Sequence, residues 1–199
     1  MWLFRKRQGK TQAHPQIKTE EPTRPFEELC HPEDREQLEK IALDVTRSAK
    51  ERSIAIDKLS CPDSKETLEY CSRNDDEPLN RVHALAKLSY PESREVLCYA
   101  AQHDWSSYVQ AEAVKLLPYP QEAKLLFQIA NRPVSPVFSK SDSKVPKAAQ
   151  GVLINAGVCP GCGAKTLIRE TYTASRDDDP DFEYETEGYL CSECNWHEK

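Results

Sequence analysis

One arrangement of apolar and polar positions is written three times along the chain. Ala55, Leu59, Pro62 and Leu68 recur as Ala84, Leu88, Pro91 and Leu97, then as Ala113, Leu117, Pro120 and Leu126, at a constant step of 29 residues. Self-similarity at a period of about 20–50 residues marks a stacked repeat architecture. In the middle copy Val82, Leu85 and Leu88 recur three apart with Ala84 and Ala86 between them, which suits a helix buried along most of one side. The chain then turns at Ser89-Tyr90-Pro91. The pattern predicts proline in the first turn of a second helix, where its missing N–H is no loss. Asp63, Glu92 and Glu122 follow at once, favoured by the positive end of the helix dipole. Helices are predicted over 44–59, 63–73, 80–88, 92–102, 107–117 and 121–131, with the small Ala55, Ala84 and Ala113 allowing close approach.

An earlier, weaker copy opens near Pro25. Leu29, Pro32, Glu36, Leu38 and Glu39 match Leu59, Pro62, Glu66, Leu68 and Glu69 at a step of 30. It predicts a helix from Pro32 to Ala42 with no first helix before it, as a terminal repeat with one wet face should show. Asn74-Asp75-Asp76-Glu77-Pro78 and His103-Asp104-Trp105-Ser106-Ser107 read as connectors, with Trp105 placed to plug the seam between units. The register fails at Asn131, where Arg132-Pro133-Val134-Ser135-Pro136 and Ser139 to Lys144 are loop chemistry. A short helix returns over 147–154, with Gly157 as its stop. Ala149 stands 36 residues after Ala113, so this segment is either a displaced first helix or a helix within a linker.

Units of this length, each closing on a leucine and a proline-started second helix, resemble the short HEAT-like repeats of the phycobilin-lyase type over residues 26–131. The resemblance implies an α-solenoid in which neighbouring helix pairs bury apolar faces that no pair buries alone. It implies little about activity, because such repeats serve scaffolds, lyases, hydroxylases and nucleic-acid enzymes. Repeat hydroxylases that hold iron use His-Glu pairs on repeated helices. Here His31, His83 and His103 precede Pro32, Ala84 and Asp104, and the one His-Glu pair is His197-Glu198 at the chain end. No catalytic constellation emerges, and the expectation is a protein that is not an enzyme.

The C-terminal part carries different chemistry. Cys159-Pro160-Gly161-Cys162-Gly163 and Cys191-Ser192-Glu193-Cys194 are two C-x-x-C turns with 28 residues between them. A tetrahedral zinc ion takes four soft donors at about 2.3 Å, and two tight turns presenting two thiolates each can supply them. Thr166 to Thr173 and Phe182 to Thr186 alternate as strands do, separated by the turn-like Asp177-Asp178-Asp179-Pro180-Asp181. The whole resembles a zinc ribbon over residues 158–197, with Trp196 close after the last ligand. Iron in the same four-thiolate geometry, or disulfides, are the alternatives. Four protein ligands make a closed, structural site, since catalytic zinc keeps a position for water. His197 could substitute as a ligand, although four cysteines leave no vacancy, and the acidic run at 177–181 reads as a solvated loop.

Composition and charge refine the picture. The chain of 199 residues is 38% hydrophobic and 30% charged, as suits a thin stack with much surface. Four of the eight cysteines belong to the metal motif. Of the rest, Cys71 stands where Ala100 and Ile129 stand in later copies and reads as a small hydrophobe. The net charge of −6 is uneven: 26–131 has 13 basic against 20 acidic side chains, and 159–199 has four against 10. Nucleic-acid binding rests on neutralising phosphates with Lys and Arg, so neither part is suited to it. Residues 1–25 carry six basic and two acidic side chains and read as a flexible arm. Trp2-Leu3-Phe4 beside Arg5-Lys6-Arg7 could give weak membrane contact, too little to anchor without help. With no secretory h-region and no run of about 18 apolar residues, the cytoplasm is the expected compartment.

The sequence therefore predicts a mainly α chain in four parts: a basic arm (1–25), a repeat solenoid (26–131), a linker with a short helix (132–157) and a small β zinc-ribbon module (158–199). The expected function is a protein-binding adaptor or scaffold with structural zinc. The alternatives are a lyase- or chaperone-like enzyme and nucleic-acid contact through the ribbon. Tyr70 and Tyr99 fall at one position in successive copies, each five residues after Lys65 or Arg94. Either these four residues form a partner-binding ridge, or the two tyrosines pack between repeats.

Overall fold

The computed structural model describes residues 26–30, 32–132, 143–175 and 183–197. The basic arm, for which weak membrane contact is expected, His31, the loop at 133–142 and the acidic run Asp177–Asp181 lie outside the described residues. The fold is mainly helical, with one two-stranded sheet near its C-terminal end. A short 3-10 helix, Phe26–Glu28, precedes α1 (Arg35–Leu43), α2 (Ala49–Lys58), α3 (Lys65–Asn74), α4 (Pro78–Lys87), α5 (Arg94–His103), α6 (Ser107–Lys115), α7 (Ala123–Ala130) and α8 (Lys144–Asn155). Strands β1 (Leu167–Ser175) and β2 (Glu183–Cys191) follow as an antiparallel hairpin.

The helices form two layers. In one, α2, α4, α6 and α8 contact each other in succession; in the other, α1 contacts α3 and α3 contacts α5. The closest pairs between layers are α1 with α2, α3 with α4, α5 with α6 and α7 with α8. Each pair thus joins a helix after a proline turn to the helix that follows it, and the helices flanking one proline turn are not the closest partners. One continuous apolar cluster runs from Leu29 to Leu153. The residues that carry the 29-residue step sit inside it: Ala55, Ala84, Ala113, Leu68 and Leu126 are all fully buried, and Leu97 nearly so. Cys71 joins them at 2% exposure, the small apolar role that its register position predicts.

The proline turns differ from the sequence expectation. Pro62, Pro91 and Pro120 follow cis peptide bonds and precede their helices, instead of occupying the first helical turn. The turn has its own hydrogen bonds. Ser64 N–H donates to Ser60 O (3.0 Å), Ser93 to Ser89 (2.9 Å) and Glu122 to Pro118 (3.0 Å), and helix geometry begins only afterwards. The same bond joins Asp34 N–H to Cys30 O (2.8 Å) in the weak N-terminal copy. Helix α2 starts at Ala49, not at residue 44, because Ser48 and Glu51 close a reciprocal capping box there. Asn74 and His103, expected in connectors, end α3 and α5, and Pro78 begins α4.

A buried polar ladder also keeps the repeat step. Arg52 spans to Asp75 with Nε–Oδ2 and Nη2–Oδ1 bonds of 2.9 Å, and Arg81 spans to Asp104 with bonds of 2.9 and 2.8 Å. Each Asp also accepts a backbone N–H two residues on, from Glu77 and Ser106. Each Arg donates a further bond to the preceding loop, at Arg47 O and Asp75 O. In the next copy Gln110 takes the Arg place and donates to Asp104 O. Unpaired, these groups would be costly to bury; paired in this way, they fix how far one unit lies from the next.

Helix α8 packs on α6 and α7 as α4 packs on α2 and α3, and Ala149 is as buried as Ala113. It therefore occupies the place of one more first helix, which selects the first of the two sequence readings. Its end is set by Gly157 (φ 71°). The Gly157 N–H donates to Ile154 O (2.8 Å) and the Val158 N–H to Leu153 O (2.9 Å), a Schellman closure that needs a left-handed residue. That turn buries Val158 and delivers Cys159 against the end of the stack.

Candidate metal centre

The two cysteine turns are built alike. In the first, Cys159 N–H donates to Ala164 O (2.8 Å) and Gly163 N–H to Cys159 O (2.9 Å). In the second, Cys191 N–H donates to Trp196 O (2.8 Å) and Asn195 N–H to Cys191 O (3.0 Å). Gly163 (φ 81°) and Asn195 (φ 56°) fill the left-handed position of each turn, a conformation that glycine adopts freely and asparagine tolerates. The hairpin sets their meeting: the register pairs Leu167 with Cys191, so closing the sheet carries the second turn back to the first. Trp196 then lies against Gly161, where an added Cβ would stand 3.2 Å from the Trp196 side chain.

All four sulfurs converge. The Sγ atoms of Cys159, Cys162, Cys191 and Cys194 lie within 4.8 Å of one another. Cys159 and Cys194 are 3.7 Å apart, and Cys162 and Cys191 are 3.6 Å apart. A tetrahedron with metal–sulfur bonds of about 2.3 Å has edges of about 3.8 Å. A disulfide would need about 2.05 Å, and all four cysteines are free. The donors therefore fit a metal ion that takes four thiolates. The inner pair, Cys159 and Cys191, is buried, while Cys162 and Cys194 are exposed.

Electrostatics follow from the crowding. The Gly161 N–H donates to Cys159 Sγ (3.3 Å), and the Thr166 hydroxyl stands 3.3 Å from Cys191 Sγ. Hydrogen bonding to Thr166 lowers the Cys191 thiol to about 6. Burial pushes Cys159 up. Cys194 is pushed up to about 12: the Trp196 amide opposes the rise, and the Cys162 sulfur and burial drive it. Like groups crowded into one volume resist ionising together, and a divalent cation among them reverses that resistance. His197 is exposed and bridges Leu190 across the turn; it stands outside the four-sulfur cluster.

The other sequence candidates lie in the stack. Tyr70 and Tyr99 are 40% and 56% exposed on α3 and α5, so neither is buried between repeats. Lys65 and Arg94 instead tie one unit to the next. Lys65 Nζ donates to Glu92 O (2.9 Å), and Arg94 Nη2 donates to Glu122 Oε2 (2.9 Å), with Tyr90 OH on the same carboxylate. Trp105 does not plug a seam. It is 67% exposed and its ring lies over Arg81, whose Cζ is 3.8 Å from the ring centroid. Tyr99, His103, Trp105, Glu95 and Arg73 line a groove of about 470 Å³ between α3 and α5.

Ser53, Asp57 and His83 meet on the other layer, but Ser53 Oγ (3.2 Å) and Asp57 Oδ1 (3.0 Å) both approach the same ring nitrogen, Nδ1. A nucleophile–base relay engages the two ring nitrogens separately, so this cluster does not form one. The signal for the Arg–Asp ladder was present as Arg52/Arg81 and Asp75/Asp104 at the 29-residue step, hidden because charged residues are read as surface. No helix among the described residues is long and apolar enough to cross a membrane. Compared with protein-family models, curated proteins and solved structures, the chain matches none.

Proposed function

We propose that this chain is a non-catalytic, protein-binding adaptor: a HEAT-like helical solenoid whose C-terminal end carries a zinc ribbon. The observation that carries the adaptor reading is the row of exposed aromatic side chains on the proline-turn layer. Tyr70 and Tyr99 occupy one repeat position on α3 and α5, and Trp105 flanks the groove beside Tyr99. Large aromatic rings supply much contact area at low entropic cost and are enriched where partners bind. Lys65 and Arg94 belong to the same face and also bond to the next repeat, at Glu92 O and Glu122.

Zinc is the ion that the donor set favours, because four thiolates at tetrahedral spacing suit a soft, geometrically undemanding cation. Its role is structural. Four cysteine sulfurs fill the coordination shell, and no position is left for a reacting water. The acidic balance of both folded parts disfavours phosphate binding, which supports a protein partner over a nucleic acid.

The test is affinity capture from the native cell at mild salt, with wild type and a Tyr70→Ala/Tyr99→Ala variant compared side by side. Partners retained by the first and lost from the second, with the helical circular dichroism of both unchanged, are expected. Equal capture by the two proteins would exclude this face.

A further inference from the structure

We infer that Phe127 and Asn131, on the last helix before the linker, are positioning residues for the metal centre, so that metal occupancy and the packing of α7 and α8 are coupled. The inference rests on the zinc reading above and concerns residues outside the ribbon. Phe127 lies on α7 and Asn131, four residues on, caps its C-terminal end. The Asn131 side-chain amide donates to Pro160 O (2.9 Å), inside the first cysteine turn, and to Phe127 O (3.0 Å), closing its own helix. The Phe127 ring faces Gly163, and a Cβ there would stand 3.3 Å from the ring edge. Gly163 is thus held to glycine twice over, by its left-handed backbone and by the ring.

These contacts grip the first turn on its outer side while the sulfurs point inward. From the other direction, Gly157 ends α8, and Val158 and Cys159 that follow it are fully buried. Gln150 on α8 donates to Ala130 O (3.2 Å) at the end of α7, which ties the two helices at the same point. In the second cysteine turn, Ser192, Glu193, Cys194 and Asn195 are exposed.

Coupling of this kind is reciprocal: if metal binding orders α7 and α8, then loosening α7 weakens metal binding by the same factor. In small metal modules, binding free energy and folding free energy are one quantity. The first turn is therefore the half-site tied to the stack, and the hairpin brings the second turn to it.

The experiment uses the full chain loaded with zinc. Zinc affinity is measured by competition with a chromophoric chelator for wild type, Asn131→Ala, Phe127→Leu and, as an exposed control remote from the end, Val45→Ala. Losing one net hydrogen bond corresponds to about fivefold in affinity. Asn131→Ala is expected to weaken zinc by about that factor and Phe127→Leu to weaken it in the same direction, with Val45→Ala unchanged. In parallel, amide hydrogen exchange is followed with and without chelator. Residues 123–130 and 144–155 are expected to lose protection on zinc removal, while 65–74 keep theirs. The exchange arm uses the unmutated chain, so it stands even if a variant misfolds. Wild-type zinc binding with unchanged affinity in both variants and unchanged exchange in α7 and α8 overturns the coupling alone. Failure of the wild type to bind zinc would instead remove the reading on which it rests.

Discussion

Arg81 and Asp104 make a two-point ion pair, Nε to Oδ2 at 2.9 Å and Nη2 to Oδ1 at 2.8 Å, with the arginine wholly buried. Twenty-nine residues earlier Arg52 and Asp75 do the same, at 2.9 Å for both bonds. A charge removed from water costs several kcal/mol unless its partner and remaining donors are satisfied. Here the Ser106 amide completes Asp104 and the Asp75 carbonyl completes Arg81. The ladder therefore does for the loops what the alanine and leucine positions do for the helices.

Removing one member should be worse than removing both. Asp104→Ala leaves the Arg81 charge buried alone and is expected to destabilise the chain by about 3–5 kcal/mol in urea unfolding. Arg81→Met/Asp104→Leu should recover a large part of that loss, because no buried charge remains. A double variant less stable than Asp104→Ala would show that the pair contributes net stability of its own.

Trp105→Ala should cost stability although the residue is mostly exposed. Its ring covers the Arg81 guanidinium at 3.8 Å, a cation–π contact with a desolvated cation that contributes about 1–2 kcal/mol. Tyr70→Ala, lacking any such partner, should shift the urea midpoint negligibly. Phenylalanine at 105 should restore part of the loss, and leucine should not.

The ladder also predicts an acid limit. Burial opposes ionisation of Asp75, but bonds from Arg52, the Glu77 amide and Asn80 outweigh it, so its carboxyl sits below the ordinary value of 3.8. Glu122 is likewise held low against burial by Arg94 and Tyr90. A carboxyl with a lowered folded-state value binds its proton first in the unfolded chain, so its contribution is complete above the unfolded value and fades as pH falls through the folded one. Stability should be flat from about pH 5 upward with respect to these groups and drop below about pH 4. Asp75→Asn should flatten that drop, read from urea midpoints between pH 3 and 6. An unchanged acid slope in the variant would refute the assignment.

The four sulfurs should behave as one site. Elemental analysis is expected to give one zinc per chain, and cobalt in its place should show the intense absorption of tetrahedral thiolate coordination. Cys162→Ser, at the exposed rim, should weaken binding by more than the about 10–100-fold that outer contacts contribute. Four thiols unreactive without any bound metal would point to disulfides.

Much of the fold was legible because stacking repeats imposes a period on the chain. Ala84, Leu88 and Leu97 could be read as core from their recurrence, and Cys71 as a small hydrophobe from its register. The four cysteines that converge were equally legible, since paired C-x-x-C turns have few other uses. The proline turn was misread because a proline before a helical pattern looks the same whether it opens the helix or precedes it. The Ser60 and Ser89 carbonyls, which accept the turn bonds, leave no mark in composition. Trp105 was misplaced because its partner, Arg81, lies 24 positions away and looks like a surface residue.

The sequence by itself determined the helical period, the two kinds of chemistry and the set of four converging cysteines, because each rests on residues at fixed short spacings. Only the tertiary structure decided which helices pair, that Lys65 and Arg94 face the next repeat while Tyr70 and Tyr99 face solvent, and that Asn131 and Phe127 hold the first cysteine turn. Those outcomes depend on distances between residues far apart in the chain, which are fixed when the stack closes and the hairpin folds back, and not before.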